Sequence, residues 1–271
     1  MRSAGFSLLA LFFIATSLQA QRSTRILTGP GAATRFVYQG RALHPFCLDF
    51  SQERSSRSAP RDLVTCSAMN VAPTRDARGW WSANYPTAAG QRFIAGSPYV
   101  SYAVLANKGD RFLVATNSSG GGSGQFSNLF WVRLDGRRIA LVKDERAGDR
   151  CAGGLSDYKA QGTTVTFSVN ASSSAILELT GARVDKGVSG KLNSSYVDCD
   201  GVAVYRYDLK AEKAQLTAVR INKPNISSNR PLTASQSCFN MLVLQYAKGG
   251  TLTPAKLKEF GRQFIATCAV Q

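Results

Sequence analysis

The sequence has a single histidine, His44, and that scarcity excludes much chemistry. Metal sites built from two or three histidines, and paired-histidine ribonuclease chemistry, are ruled out within one chain. A Ser-His-Asp triad has only His44 to draw on, and no G-x-S-x-G elbow accompanies it; Gly187-Val188-Ser189-Gly190 falls short by one position. His44 itself, in Leu43-His44-Pro45-Phe46, reads as a loop residue beside a proline. C-x-x-C pairs are also missing, which argues against a zinc ribbon and against a dithiol redox motif. With neither a ligand set nor a cofactor motif, no metal and no cofactor is expected. Acids are few, 17 Asp and Glu against 33 Lys and Arg, for a formal charge of +16. Beyond Ala20 no apolar run approaches the roughly 18 residues needed to cross a bilayer, so no transmembrane segment is expected there.

Residues 1–20 have the character of an export signal. They carry one charge, Arg2, then an apolar run from Phe6 to Ile14 and a polar stretch ending in the small residue Ala20. Subtracting these 20 residues from 271 leaves 251, and losing Arg2 lowers the charge from +16 to +15. No cysteine sits at the cleavage point to take a lipid, so a soluble periplasmic or secreted protein is expected. The six cysteines are Cys47, Cys66, Cys151, Cys199, Cys238 and Cys268. An even number in an exported chain reads as three disulfides. Of the possible connectivities, pairing neighbours in order closes short loops at the least entropic cost, and it is the expected one.

The fold expected is mainly β, an antiparallel sandwich or barrel-like body over residues 21–230, with an antiparallel α-helical hairpin over 231–271. Tyr99 to Leu105 and Phe112 to Thr116 are β-branched and aromatic runs either side of the turn cluster Asn107 to Asp110. Phe126 to Leu134 and Arg138 to Val142 flank Asp135-Gly136, a dipeptide favoured in two-residue hairpins. Thr163 to Val169 and Ala175 to Leu179 are read as strands around Asn170-Ala171-Ser172, followed by strands at Val202 to Tyr207 and Leu216 to Ile221. In the last forty residues the period changes. Thr233 and Ser235 are candidate caps for a helix carrying Cys238, Met241, Leu242 and Tyr246, which Gly249-Gly250 stops. Thr253-Pro254 restarts a second helix, with Leu257, Phe260, Phe264 and Cys268 on one stripe. An antiparallel pair brings Cys238 and Cys268 to the same end.

Several stretches suggest chemistry and are weighed against plainer roles. Ser156-Asp157-Tyr158-Lys159 matches S-x-x-K, but the K-T-G and S-D-N companions of that serine–lysine chemistry are absent. Ser118 to Gly124 is glycine-rich, lacks the ending of a P-loop and leads into a strand, so it reads as a connecting loop. Asp144, Glu145, Asp149 and Asp157 surround Cys151, while Asp198 and Asp200 flank Cys199. A Cys151–Cys199 bridge gathers these acids, and strand alternation puts Asp198 and Asp200 on one face. Asp149, Asp198 and Asp200 are therefore the candidate acid/base residues, although Lys143, Arg146 and Arg150 interleave them. Asp198-Cys199-Asp200-Gly201 is only a fragment of a calcium loop, with no closing glutamate. Arg78-Gly79-Trp80-Trp81, with Tyr85 nearby, is the one dense aromatic group. Exposed, it stacks on sugar rings or bases with Arg78 adding charge; buried, it is core. Basic residues are spread, and Arg220, Lys223 and Arg230 fall in a stretch of basic excess. A charge of +15 exceeds the roughly 2–8 that keeps a small domain soluble, which points to an anionic partner: lipopolysaccharide, an acidic glycan, an acidic protein or nucleic acid.

Ser119-Gly120-Gly121-Gly122-Ser123-Gly124-Gln125-Phe126, followed by Gly148-Asp149-Arg150-Cys151-Ala152-Gly153-Gly154, resembles uncharacterised exported proteins of Gram-negative bacteria over residues 98–160. The resemblance implies export and no particular reaction, and it transfers no functional residue. The expected function is non-catalytic binding of an anionic envelope or extracellular partner. The alternatives are a hydrolase of an envelope polymer working through the acids near Cys151 and Cys199, and a structural accessory of an envelope assembly.

Overall fold

In a computed structural model the described residues are 26–50, 59–68, 71–87, 96–192, 199–222, 232–246 and 250–268. The expected leader over 1–20 and the candidates Asp198, Lys223 and Arg230 lie outside them. Short segments open the chain: β1 (Ile26–Thr28), α1 (Pro30–Ala33), β2 (Val37–Tyr38), β3 (Arg41–Ala42), a 3-10 turn (Pro45–Leu48), β4 (Arg61–Asp62), α2 (Leu63–Ser67), β5 (Thr74–Arg75) and β6 (Trp81–Asn84). Long strands follow: β7 (Tyr99–Lys108), β8 (Arg111–Ser119), β9 (Phe126–Asp135), β10 (Arg138–Asp149), β11 (Ala152–Gln161) and β12 (Thr164–Ala171). After α3 (Ser173–Leu179) and α4 (Lys186–Ser189) come β13 (Gly201–Asp208), β14 (Lys213–Ile221), α5 (Ala234–Tyr246), β15 (Thr251–Leu252) and α6 (Pro254–Cys268).

Strand order in the 13-stranded sheet follows chain order from β5 to β15, every pair antiparallel, with β1 added beside β7 and β4 beside β10. The sheet folds back on itself, because Trp131 on β9 hydrogen-bonds Tyr207 on β13 and Lys108 at the end of β7 reaches Glu212 in the β13–β14 turn. The corner falls where the ladder is irregular. β10 slips register twice against β9 and β11 slips twice against β12, and such bulges bend strands. Between the layers lie Leu113, Leu129 and Trp131 from one side and Val165, Phe167 and Tyr207 from the other. The outer face of β7–β9 is covered by the N-terminal segment, where Phe36, Leu43 and Leu63 pack on Tyr102, Phe112 and Phe130. Burial on both faces explains why β7 to β9 read as nearly continuous apolar runs.

The helical pair is present. Thr253 Oγ1 accepts the Lys256 N–H at 3.4 Å, and the stripe of Leu257, Phe260, Phe264 and Cys268 is fully buried. Thr233 Oγ1 caps α5 by accepting the Gln236 N–H at 3.1 Å. Phe239, Phe260 and Phe264 share one core with Tyr205 and Val219 of the sheet. Three disulfides join neighbouring cysteines in order: Cys47–Cys66, Cys151–Cys199 and Cys238–Cys268.

Four local expectations need correction. Ala175 to Leu179 belongs to a helix, not a strand: Ser172 accepts the Ala175 N–H, and Asp200 takes the Ser173 N–H at 2.8 Å. Two such caps ahead of Ala, Ile, Leu and Glu favour helix over turn. Asp135 pairs with Arg138, so the two central residues of that hairpin are Gly136 and Arg137, one position later than expected. Cys199 and Asp200 precede β13, so strand alternation does not govern their faces. Finally, β10 runs on to Asp149 and returns as β11 through an Arg150-Cys151 turn, a hairpin the alternation pattern misses because Gly148, Gly153 and Gly154 interrupt it on both sides. A Cβ on Gly148 would sit 2.5 Å from the Gly153 carbonyl oxygen, so backbone packs directly on backbone around Cys151.

Candidate functional site

The two adjacent tryptophans serve opposite faces of the sheet, as alternation requires. Trp81 packs beside Cys66 in the N-terminal core, whereas Trp80 packs on the inter-layer core. Trp80 also lines a cleft where the first layer meets β11. The cleft has two compartments, of about 340 Å³ and about 360 Å³, which share Arg78, Trp80 and Asn117. The first adds Ser156, Asp157 and Tyr158 from β11; the second adds Arg75, Asp76 and Tyr99.

Local hydrogen bonds fix the position of Trp80. The Asp76 carboxylate accepts the backbone N–H groups of Trp80 and Arg78, both at 2.9 Å, and pairs with Arg78 Nε at 3.2 Å. The Trp80 N–H first, then the Arg78 contacts, hold the Asp76 carboxyl below the usual carboxylate range. Tyr158 faces Trp80 with ring centroids 5.7 Å apart and planes inclined at 58°. Burial pushes its phenol up to about 12, so it stays protonated as a donor. On the opposite wall Ser127 Oγ accepts the Leu155 N–H at 2.6 Å, tying β11 to β9 beneath the cleft. Arg78 remains largely in solvent, its side chain 82% exposed.

The sequence singled out Arg78 and Trp80 but missed their cleft partners Asp76 and Asn117, and it met Asp157 and Tyr158 only in other settings, the acids near Cys151 and the S-x-x-K match. Asp76 carried a readable signal, an aspartate two residues before Arg78 able to bond its own turn. Asn117 and Tyr158 carried none, because only the fold-back of the sheet brings them to Trp80. Ser156-Asp157-Tyr158-Lys159 lies within β11, not at a helix start, so it lacks the setting of serine–lysine chemistry.

Of the acidic candidates, Asp149 and Asp200 are among the described residues, and both make structural contacts. Asp149 accepts the Gln125 N–H at 2.8 Å and pairs with Arg150, while Asp200 caps Ser173 through both its N–H and its hydroxyl. Glu145 accepts from Tyr207 at 2.6 Å and pairs with Lys143 at 2.7 Å. Among the described residues no cluster of three or more His, Cys, Asp or Glu is placed to hold a metal. His44 is buried; its Nδ1 accepts the Phe46 N–H and its Nε2–H donates to the Val71 carbonyl at 2.8 Å. Both nitrogens are thus engaged with backbone, one within its own turn and one across to Val71.

The basic residues meet on the outer face of β11–β14. Lys159, Thr166, Arg206 and Gln215 form one register row across four strands, all exposed. Arg220 lies opposite Val202 on the same face and donates to Ser168 Oγ at 3.3 Å. It therefore belongs to the sheet and not to an exposed linker. Lys213, opposite Asp208, completes the set. Among the described residues no helix is long and apolar enough to cross a membrane. Comparison with protein-family models, curated proteins and solved structures returns no match.

Proposed function

We propose that this is an exported, non-catalytic protein of the periplasm or extracellular space that binds an anionic glycan through the outer face of β11–β14. The observation that carries the reading is the placement of Lys159, Arg206, Lys213 and Arg220 on one exposed sheet surface, with Asp208 the acid set among them in the described residues. Lys159 and Arg206 are two strands apart, about 10 Å, a spacing suited to successive anionic groups on an extended polymer. Asp208 turns inward on its own hairpin, accepting the N–H groups of Lys210 at 2.7 Å and Ala211 at 2.9 Å. Export is supported by three bridges, which persist in oxidising compartments. Arginine's planar fork suits sulfate, phosphate and carboxylate.

Heparin, titrated at about 50 mM and about 200 mM salt, tests the reading. Affinity is expected to fall steeply between the two, and to fall at low salt when Arg206 and Arg220 are both changed to Glu. Absence of binding at low salt overturns the proposal.

A further inference from the structure

We infer that the two-compartment cleft beside Trp80 is a binding site for a neutral saccharide of two linked rings. This goes beyond the anionic-partner reading and does not rest on it. The size suits such a ligand, since each compartment, about 340 Å³ and about 360 Å³, lies near the lower end of ligand cavities and admits one ring. Trp80 stands at the junction. Its indole offers an apolar surface to the C–H face of a sugar, and Tyr158, inclined at 58°, forms a second wall beside it.

The polar lining decides the ligand class. Asn117 offers both a donor and an acceptor, Ser156 a hydroxyl, Asp157 an acceptor and Arg78 donors, all around Trp80. Sugar hydroxyls donate and accept alike, so they satisfy such a mixed set. An aliphatic ligand would strip water from these groups and return no hydrogen bonds, a strongly unfavourable exchange. Charge points the same way. Arg75 and Arg78 are balanced by Asp76 and Asp157, so the cleft is close to neutral in a chain of formal charge +16. A polyanion entering it meets two carboxylates; on the outer face of the sheet it meets an excess of cations. The site is also preorganised, because Asp76 holds the Arg78–Trp80 turn and Ser127 holds β11.

Titration calorimetry on the intact mature protein tests the inference with maltose, cellobiose and N,N′-diacetylchitobiose, and with AMP as a charged stacking ligand. At least one neutral disaccharide is expected to bind with a dissociation constant of about 1 mM or tighter. Its affinity should be equal at about 50 mM and about 200 mM salt. Trp80→Ala and, separately, Asp157→Asn should each weaken it by about tenfold or more, the second change preserving shape at an exposed position. No binding by any neutral disaccharide, binding by AMP alone, or affinity unmoved by Asp157→Asn would each overturn the assignment.

Discussion

Trp131 on one layer donates its indole N–H to the Tyr207 hydroxyl on the other at 2.8 Å, and both side chains are fully buried. The same hydroxyl donates to Glu145 at 2.6 Å, whose side chain is only 8% exposed and is neutralised by Lys143. One phenol thus satisfies a buried indole and a buried carboxylate at once. Burial and the Glu145 carboxylate push the Tyr207 phenol far above its ordinary value, so it remains a donor at any physiological pH.

Tyr207→Phe is expected to destabilise the protein by about 1–3 kcal/mol, with the loss arising from the orphaned indole N–H and carboxylate. Urea unfolding measures it. A double change that also replaces Glu145 with Gln should recover part of the loss; no recovery would mean the carboxylate finds water instead.

Glu212 carries the second tie between the layers, accepting two hydrogen bonds from Arg111 at 2.9 Å and one from Lys108 at 3.0 Å. Burial works to raise its carboxyl, but the Arg111 and Lys108 contacts outweigh it and hold the group below 4.5. A lowered folded value means the unfolded chain binds the proton first as pH falls. The stabilisation is therefore complete at neutral pH and drains away as pH drops below about 4.5 toward the folded value. Melting midpoints from pH 7 to pH 3 should show a shallower acid decline in Glu212→Gln than in the parent. Parallel declines would assign the acid sensitivity to other carboxylates.

Gly261 lies inside α6, where alanine ordinarily adds stability. Here the sign is expected to reverse. A Cβ at this position would sit 2.5 Å from Thr180 Cβ and 3.1 Å from Ala182 Cβ. Gly261→Ala should lower stability by about 1–3 kcal/mol, read from denaturant midpoints. A rise would show that the α3–α4 connection yields easily.

Phe260 and Phe264 are fully buried and meet Phe239 edge-on, with ring centroids 5.3 Å and 6.2 Å away. Replacing either with Ala should cost about 3–5 kcal/mol. Loss of the Cys238–Cys268 bridge, which closes a separation of 30 residues, should cost about 3–4 kcal/mol by loop entropy. A thermal scan of the Cys238→Ala, Cys268→Ala double variant checks the second value; an unchanged midpoint would mean the helical pair holds itself.

The helical pair was legible because Thr253-Pro254 and the Leu257–Phe260–Phe264–Cys268 stripe each rest on local rules that act within a few residues. So were the strands on either side of Gly109-Asp110, where polarity and turn chemistry agree. Ala175 to Leu179 misled, since its apolar residues fit either period and only the Ser172 and Asp200 caps decide for helix. Of the cleft, Arg78 and Trp80 were visible as composition, but their setting was not. Asn117 and Tyr158 stand 41 residues apart and meet Trp80 only after β10 and β11 bend the sheet over. Such information lies in the bulges, which no hydrophobic pattern marks.

The order of strands and the order of disulfides coincide, and this bears on how the chain acquires its bridges. Each cysteine joins the next one to be synthesised, across separations of 19, 48 and 30 residues. An oxidant that couples thiols in order of arrival would therefore make the native pairs without reshuffling. From β5 to β15 each strand likewise lies beside the strand that follows it in the chain, whereas β1 must wait for β7, β4 for β10, and Lys108 for Glu212 about a hundred residues later.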